Sequence, residues 1–138
     1  MASIFTRILN GEIPGHIVAE DDDFFAILDI FPLAKGHTLV VPKKEVDYIF
    51  NLDPELLGRY MVFAQVVAKA IKRVIPCKRI GVAVIGLEVP HSHIHLVPIN
   101  HIGDIDFSKP KLKFEDDVFV QVRESIRGAF NEPDSDFR

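Results

Sequence analysis

The sequence predicts an α+β fold with an antiparallel sheet, and three observations predict it. Short runs rich in β-branched and other apolar residues follow one another across brief polar links, as hairpin-joined strands do. One long stretch, Asp53 to Val74, carries a helical stripe instead. A second, shorter stripe, opened by Asp116-Asp117, follows the last strand-like run. Helices that cluster between and after strands, rather than alternating with them, argue against a parallel βαβ sheet.

The elements read in order as follows. Met1–Leu9 is short and apolar and predicts a helical turn stopped by Asn10-Gly11. His16–Glu20 and Phe24–Ile30 are apolar runs separated by Asp21-Asp22-Asp23, the pattern of a hairpin. Pro32–Gly36 is a loop, and His37–Val41 reads as a strand ending at Pro42. Asp53-Pro54-Glu55 predicts a helix start, with Asp as cap, Pro at the first helical position and an acid in the first turn. Leu57, Met61, Ala64, Ala68, Ile71 and Val74 form its apolar stripe, and Pro76 closes it. Ile80–Ile85 is a run of strand length, followed by the link Gly86–Pro90. His91–Ile99 alternates strictly, which predicts a strand with His91, His93 and His95 on one face. The last helix carries Val118, Val122 and Ile126.

Size and composition bound the function. At 138 residues, 48% hydrophobic and 26% charged, the chain reads as one globular domain over 1–130, with 131–138 a loose polar tail. A net charge of −4 gives no general attraction to nucleic acid. Cys77 is the single cysteine, so no intrachain disulfide and no Cys-rich zinc site is expected. No apolar run reaches membrane-spanning or signal-peptide length, and the expected location is cytoplasmic.

Four of the six histidines lie at His37 and in the run His91-Ser92-His93-Ile94-His95. On a straight strand the three clustered rings are about 6.8 Å apart per step, so the outer two are about 13–14 Å apart. Three of them cannot easily converge on one metal ion, although a neighbouring pair can chelate one. A row of solvated polar residues is the plainest reading, but Pro90 precedes the row and apolar residues cover the other face. Imidazole catalysis is the third reading. Near pH 7 the ring is both nucleophile and acid–base group, and a middle histidine with a neighbour on each side can attack phosphorus.

His91-Ser92-His93-Ile94-His95-Leu96-Val97 resembles the histidine triad motif of the HIT superfamily, with Ser92 its one non-apolar departure. Upstream, Ile4-Phe5-Thr6-Arg7-Ile8, Gly11-Glu12-Ile13-Pro14, Glu20-Asp21-Asp22, Leu28-Asp29-Ile30, Pro32 and Gly36–Lys43 follow the family's pattern in order. The branch most like it is that of the histidine triad nucleotide-binding proteins. The resemblance implies an antiparallel five-stranded sheet with one long helix and a shorter C-terminal helix, assembled as a homodimer. It implies that His93 is the nucleophile of a nucleotidyl-His intermediate, that His95 contacts the α-phosphate, that His91 supports His93, and that His37 stands behind the triad. It further implies that Asp29 accepts hydrogen bonds from ribose hydroxyls and that Phe5, Ile13, Ile27 and Ile30 form the purine slot. Read from residue type alone, those four are plain core.

Two departures matter. The family's Gly-Gln-Ser or Gly-Gln-Thr is here Gly86-Leu87-Glu88, so Glu88 stands where a hydroxyl donates to phosphate. An ionised Glu88 repels phosphate, which favours a cationic leaving group, unless it is protonated or points to solvent. The zinc-binding subset's two Cys and one His are here Ser3, Thr6 and Glu45, so no structural zinc is expected. The expected function is hydrolysis of a purine nucleoside phosphoramidate or related α-phosphate bond, without a cofactor. A catalytically weak nucleotide- or partner-binding module with the same fold is the alternative, and a metal-binding protein the third.

Overall fold

In the computed structural model, residues 2–132 are described. Helix α1 (Ile4–Leu9) opens the chain, and Ser3 caps it by accepting the Thr6 amide. The strands are β1 (Ile17–Glu20), β2 (Phe24–Leu28), β3 (Thr38–Pro42), β4 (Arg79–Ala83) and β5 (Ile94–Ile99). The long helix α2 spans Pro54–Val74 between β3 and β4, and α3 spans Asp116–Asn131. The sheet has the order β1-β2-β3-β5-β4 and every neighbouring pair is antiparallel.

Local chemistry explains the joints. Asp21 closes the β1–β2 hairpin because its Oδ1 accepts both the Asp23 amide at 2.9 Å and the Phe24 amide at 2.8 Å. Pro54 begins α2 as expected, but the Asp53 side chain makes no capping bond; its carbonyl accepts the Leu57 amide instead. Gly36 has φ +92, a left-handed conformation that suits glycine, and a Cβ there would lie 2.9 Å from Ile75 Cγ1. That turn delivers His37 to the start of β3.

Period-two alternation divides the interior. Phe24, Ala26 and Leu28 of β2, Val40 of β3, and Ile94 and Leu96 of β5 face α2 and α3 in the main core. Phe25, Ile27, Leu39 and Val41 face the other way and pack with Phe5 of α1 in a smaller cluster. Tyr60 ties α2 to the sheet: its ring stacks on Phe24 at 5.3 Å and its hydroxyl donates to the Val40 carbonyl at 2.5 Å.

Three sequence expectations change. The histidine run is not one strand from His91, because pairing begins only at Ile94. The amides of His91 and Ser92 are used by Val89 and Val46 carbonyls instead of a neighbouring strand. The strand expected over Ile80–Ile85 is an edge strand that ends at Ala83, and Val82, Val84 and Ile85 are exposed. Helix α3 continues through Asn131, so the loose tail expected over 131–138 does not begin there, and 133–138 lie outside the described residues.

Candidate active site

His93, His95, His37 and Asp29, which come from just before and within β5, just before β3 and just after β2, meet in a cleft of about 250 Å³ also lined by Phe31, Ile85, Gly86, Leu87, Glu88, Phe107 and Lys111. The four histidines at positions 37, 91, 93 and 95 are buried, none of them more than 8% exposed. The row of solvated histidines is therefore not what the fold makes. Their rings are also closer than a straight strand allows, with the His93 and His95 centroids 5.0 Å apart, because the chain bends before β5.

The hydrogen-bond partners assign a proton to each ring. His93 Nδ1 lies 2.9 Å from the His91 carbonyl oxygen, which can only accept. Nδ1 therefore carries the hydrogen, and a neutral His93 keeps its lone pair on Nε2. His37 Nδ1 accepts the Leu33 amide at 3.0 Å, so its hydrogen is on Nε2 and is donated to His95 Nδ1 at 2.9 Å. That leaves His95 with its hydrogen on Nε2. One ring thus has a nucleophilic nitrogen fixed, and its neighbour a donor fixed, both by second partners rather than by each other.

Burial holds the His37 and His95 rings neutral. It lowers His37 to about 3, with the neighbouring His95 adding to the effect. It lowers His95 to about 4, with His93 contributing. Asp29 moves the opposite way: burial raises its carboxyl, opposed by the Phe31 amide that donates to Oδ1 at 2.9 Å. Asp29 Oδ2 is 3.6 Å from His37 Nε2.

His91 is not in the cleft. Its Nε2 donates to the Pro42 carbonyl at 2.6 Å, and its Nδ1 lies 2.5 Å from the Ser3 hydroxyl. Glu45 accepts the Ser3 amide at 2.5 Å and the Thr6 hydroxyl at 2.7 Å, and its Oε1 is 3.8 Å from His91 Nδ1. These bonds, the Ser3 amide first, lower the Glu45 carboxyl to about 2. Ser3, Thr6, Glu45 and His91 thus form one hydrogen-bonded group that anchors α1 against the triad. Ser92, the odd residue of the motif, is buried and spends both its amide and its hydroxyl on the Val46 carbonyl.

The other singled-out residues are spread more widely. Phe5 and Ile27 are interior, Ile13 is half-buried, and Ile30 is exposed at 54%. Phe5 reaches the site through its ring, edge-on to His93 at 5.0 Å. Glu88 lines the cleft, and Leu87 beside it is 88% exposed. Sequence reasoning missed Phe31, Ile85, Phe107 and Lys111. Phe107 had a signal available, as an aromatic in a polar connection; its ring lies 4.6 Å from His95. Among the described residues, Asp29, His37 and His95 have ligand atoms within 4.8 Å of one another, a donor set of the kind that binds transition metals. His37 Nε2 and His95 Nδ1 are already engaged in a hydrogen bond with each other.

An antiparallel α+β scaffold that collects buried histidines beside one face of its sheet defines a recognisable class. The HIT domain model matches residues 10–102. An uncharacterized HIT-like protein of Borreliella burgdorferi is 36% identical over 131 residues, covering 89% of this chain and 94% of its own. A hypothetical histidine triad nucleotide-binding protein from Sulfolobus tokodaii has a similar structure, with TM-score 0.78, 28% identity, and coverage of 91% and 90%. A HIT family hydrolase from Legionella pneumophila matches with TM-score 0.61, 32% identity, and coverage of 70% and 91%. This chain belongs to the HIT family. Among the described residues, no helix is long and apolar enough to cross a membrane.

Proposed function

We propose that this protein is a nucleotide-binding hydrolase that cleaves a purine nucleoside phosphoramidate, or a related bond at the α-phosphate, through a nucleotidyl-His93 intermediate. The observation that carries this reading is the proton assignment at His93: the His91 carbonyl holds Nδ1–H, so the free lone pair on Nε2 belongs to a ring lining the cleft. Nε2 attacks the α-phosphorus and the phosphorus–nitrogen bond breaks. The amine departs with the electron pair and takes a proton from solvent. Water then attacks the nucleotidyl-His93, releasing the nucleoside monophosphate and the imidazole. His95, with Nε2–H set by His37, stabilises negative charge on the phosphoryl oxygens. Asp29 takes the ribose hydroxyls, and Phe5, Ile13, Ile27 and Ile30 take the base. The hydrolase named from Legionella pneumophila and the nucleotide-binding protein named from Sulfolobus tokodaii support the general activity.

The experiment is incubation of wild type, His93→Ala and His91→Ala with a purine nucleoside phosphoramidate, with trapping of the nucleotidylated protein. The expected result is an adduct on His93 and a loss of several orders of magnitude in rate for His93→Ala, with a smaller loss for His91→Ala. Wild-type turnover by His93→Ala, or an adduct elsewhere, overturns the assignment. Absence of both adduct and product in wild type favours a non-catalytic binding module. That second reading has its own observation: Glu88, a carboxylate, lines the cleft where phosphate must sit.

The protein works as a homodimer in the cytoplasm on this reading. What supports the dimer is the edge strand β4. Val82, Val84 and Ile85 are exposed there beside Tyr48, Phe50 and Met61, in a groove of about 610 Å³. An exposed apolar edge is a template for pairing, and a second copy of the same edge covers it by symmetry. A monomeric mass in light scattering at micromolar concentration removes that part of the proposal. The half-buried unpaired Cys77 suits a reducing compartment.

A further inference from the structure

The charge of the cleft poses a question that the triad does not answer. A nucleotide brings an anionic phosphate to a site where Asp29 and Glu88 both stand. Burial keeps His37 and His95 neutral near pH 7, so those two rings do not offset the carboxylates. Among the described residues, one lysine and no arginine line the cleft, and that lysine is Lys111. It lies beyond residue 102, where the matched HIT domain ends, on the connection between β5 and α3.

That connection is fastened to the site. The Leu112 amide donates to the Pro32 carbonyl at 2.9 Å, joining it to the loop that follows Asp29. The Phe107 ring meets His95 edge-on at 4.6 Å and His37 at 6.3 Å. Lys111 Nζ donates to the Phe107 carbonyl at 2.6 Å and to the Lys109 carbonyl at 3.1 Å. An ammonium group has three hydrogens, so these two carbonyls orient the group and leave one hydrogen for a ligand. Lys111 is an exposed residue of the cleft lining.

We propose that Lys111 is a specificity-determining residue that holds the phosphoryl oxygens of the substrate, and that it works with Glu88 to favour substrates whose phosphate carries a cationic leaving group. This inference rests on the reading of the cleft as a nucleotide site. The two side chains give that cleft a polarity: the ammonium takes the phosphate and the carboxylate takes the departing amine. A second phosphate as leaving group meets Glu88 and is disfavoured by charge.

The test measures binding of a purine nucleoside and of its 5′-monophosphate to wild type, Lys111→Met and Lys111→Arg, at low and at physiological salt. Turnover of phosphoramidates with cationic and with neutral amines is measured alongside, on the same proteins and on Glu88→Gln. Lys111→Met is expected to weaken monophosphate binding roughly 10- to 100-fold, the range for a hydrogen bond to a charged group, and to leave nucleoside binding unchanged. It is also expected to flatten the salt dependence, because a charge contact is removed. Lys111→Arg is expected to restore most of the affinity. Glu88→Gln is expected to reduce the preference for the cationic amine, mainly through KM. Equal losses for nucleoside and monophosphate mean that Lys111 only braces its loop, and overturn the inference. Monophosphate binding by Lys111→Met as tight as wild type overturns it too, while the nucleotide reading stands. If wild type binds neither compound, the nucleotide reading fails and this inference falls with it.

Discussion

The two faces of the sheet are made by one rule and put to opposite uses. On the helix face, alternate residues of β2, β3 and β5 meet α2 and α3, and the contacts are apolar throughout, from Phe24 and Val40 to Val122 and Ile126. On the other face the same strands offer Phe25, Leu39 and Val41, but α1 is only six residues long and covers part of it. Beyond α1 that face passes into buried imidazoles held by carbonyls, an amide and a hydroxyl. The first face is closed by helices long enough to seal it. The second is left open, and the open end is the cleft. Stability and chemistry are thereby separated by the thickness of one sheet.

The largest test of that separation is on the helix face. Ile126→Ala removes a fully buried side chain of α3 and is expected to cost about 2–5 kcal/mol of stability, read by denaturant unfolding. Nucleotide affinity per folded molecule is expected to stay within twofold. A large affinity loss in the folded fraction breaks the comparison, because it means that the faces are coupled.

A smaller effect is expected from Asp29→Asn. If Asp29 accepts ribose hydroxyls, ribonucleotide binding weakens by about 1–3 kcal/mol and deoxyribonucleotide binding weakens less. Equal losses for both sugars make Asp29 a structural partner of Phe31 and His37.

The smallest effect concerns pH and sharpens the comparison most. His37 and His95 sit at about 3 and about 4, below the ordinary 6.5. Between those values and 6.5 the unfolded chain binds more protons than the folded one. The stability contributed by the neutral rings is therefore complete above about pH 6.5 and is lost as pH falls below it. Each such ring adds a slope of at most about 1.4 kcal/mol per pH unit. Unfolding free energy measured from pH 6.5 to 5 is expected to decline in wild type and to decline less steeply in His37→Gln. An unchanged slope in His37→Gln shows that His37 does not carry the acid sensitivity.

Much of this architecture was legible without coordinates, because it rests on local periodicity. The Asp21–Asp23 hairpin, the Pro54 start of α2 and the Val122–Ile126 stripe of α3 each depend on residues a few positions apart. Alternation placed Ile94 and Leu96 opposite His95 for the same reason. The histidine run also marked the site by its composition. The errors arose where local pattern and long-range pairing differ. His91 and His93 alternate like strand residues, but no neighbouring strand reaches them, and His91 turns to Pro42 and Ser3 instead. Val84 and Ile85 read as part of a strand over Ile80–Ile85, but β4 is an edge strand that ends at Ala83, and nothing among the described residues covers Val82, Val84 and Ile85.

What the sequence by itself determined is therefore the set of elements and the histidines of the candidate site, since periodicity and residue chemistry are carried by neighbours in the chain. Tertiary structure decided which nitrogen of each imidazole bears the proton, and which distant residues complete the cleft. The tautomers of His93 and His95 follow from a carbonyl at His91 and a ring at His37, and the latter stands 58 positions away from His95. Phe107 and Lys111 enter the site because the connection after β5 folds back over the loop that follows Asp29. A proton's position depends on which acceptor lies within about 3 Å, and in a folded chain that acceptor is chosen by packing across the sheet rather than by order along the sequence.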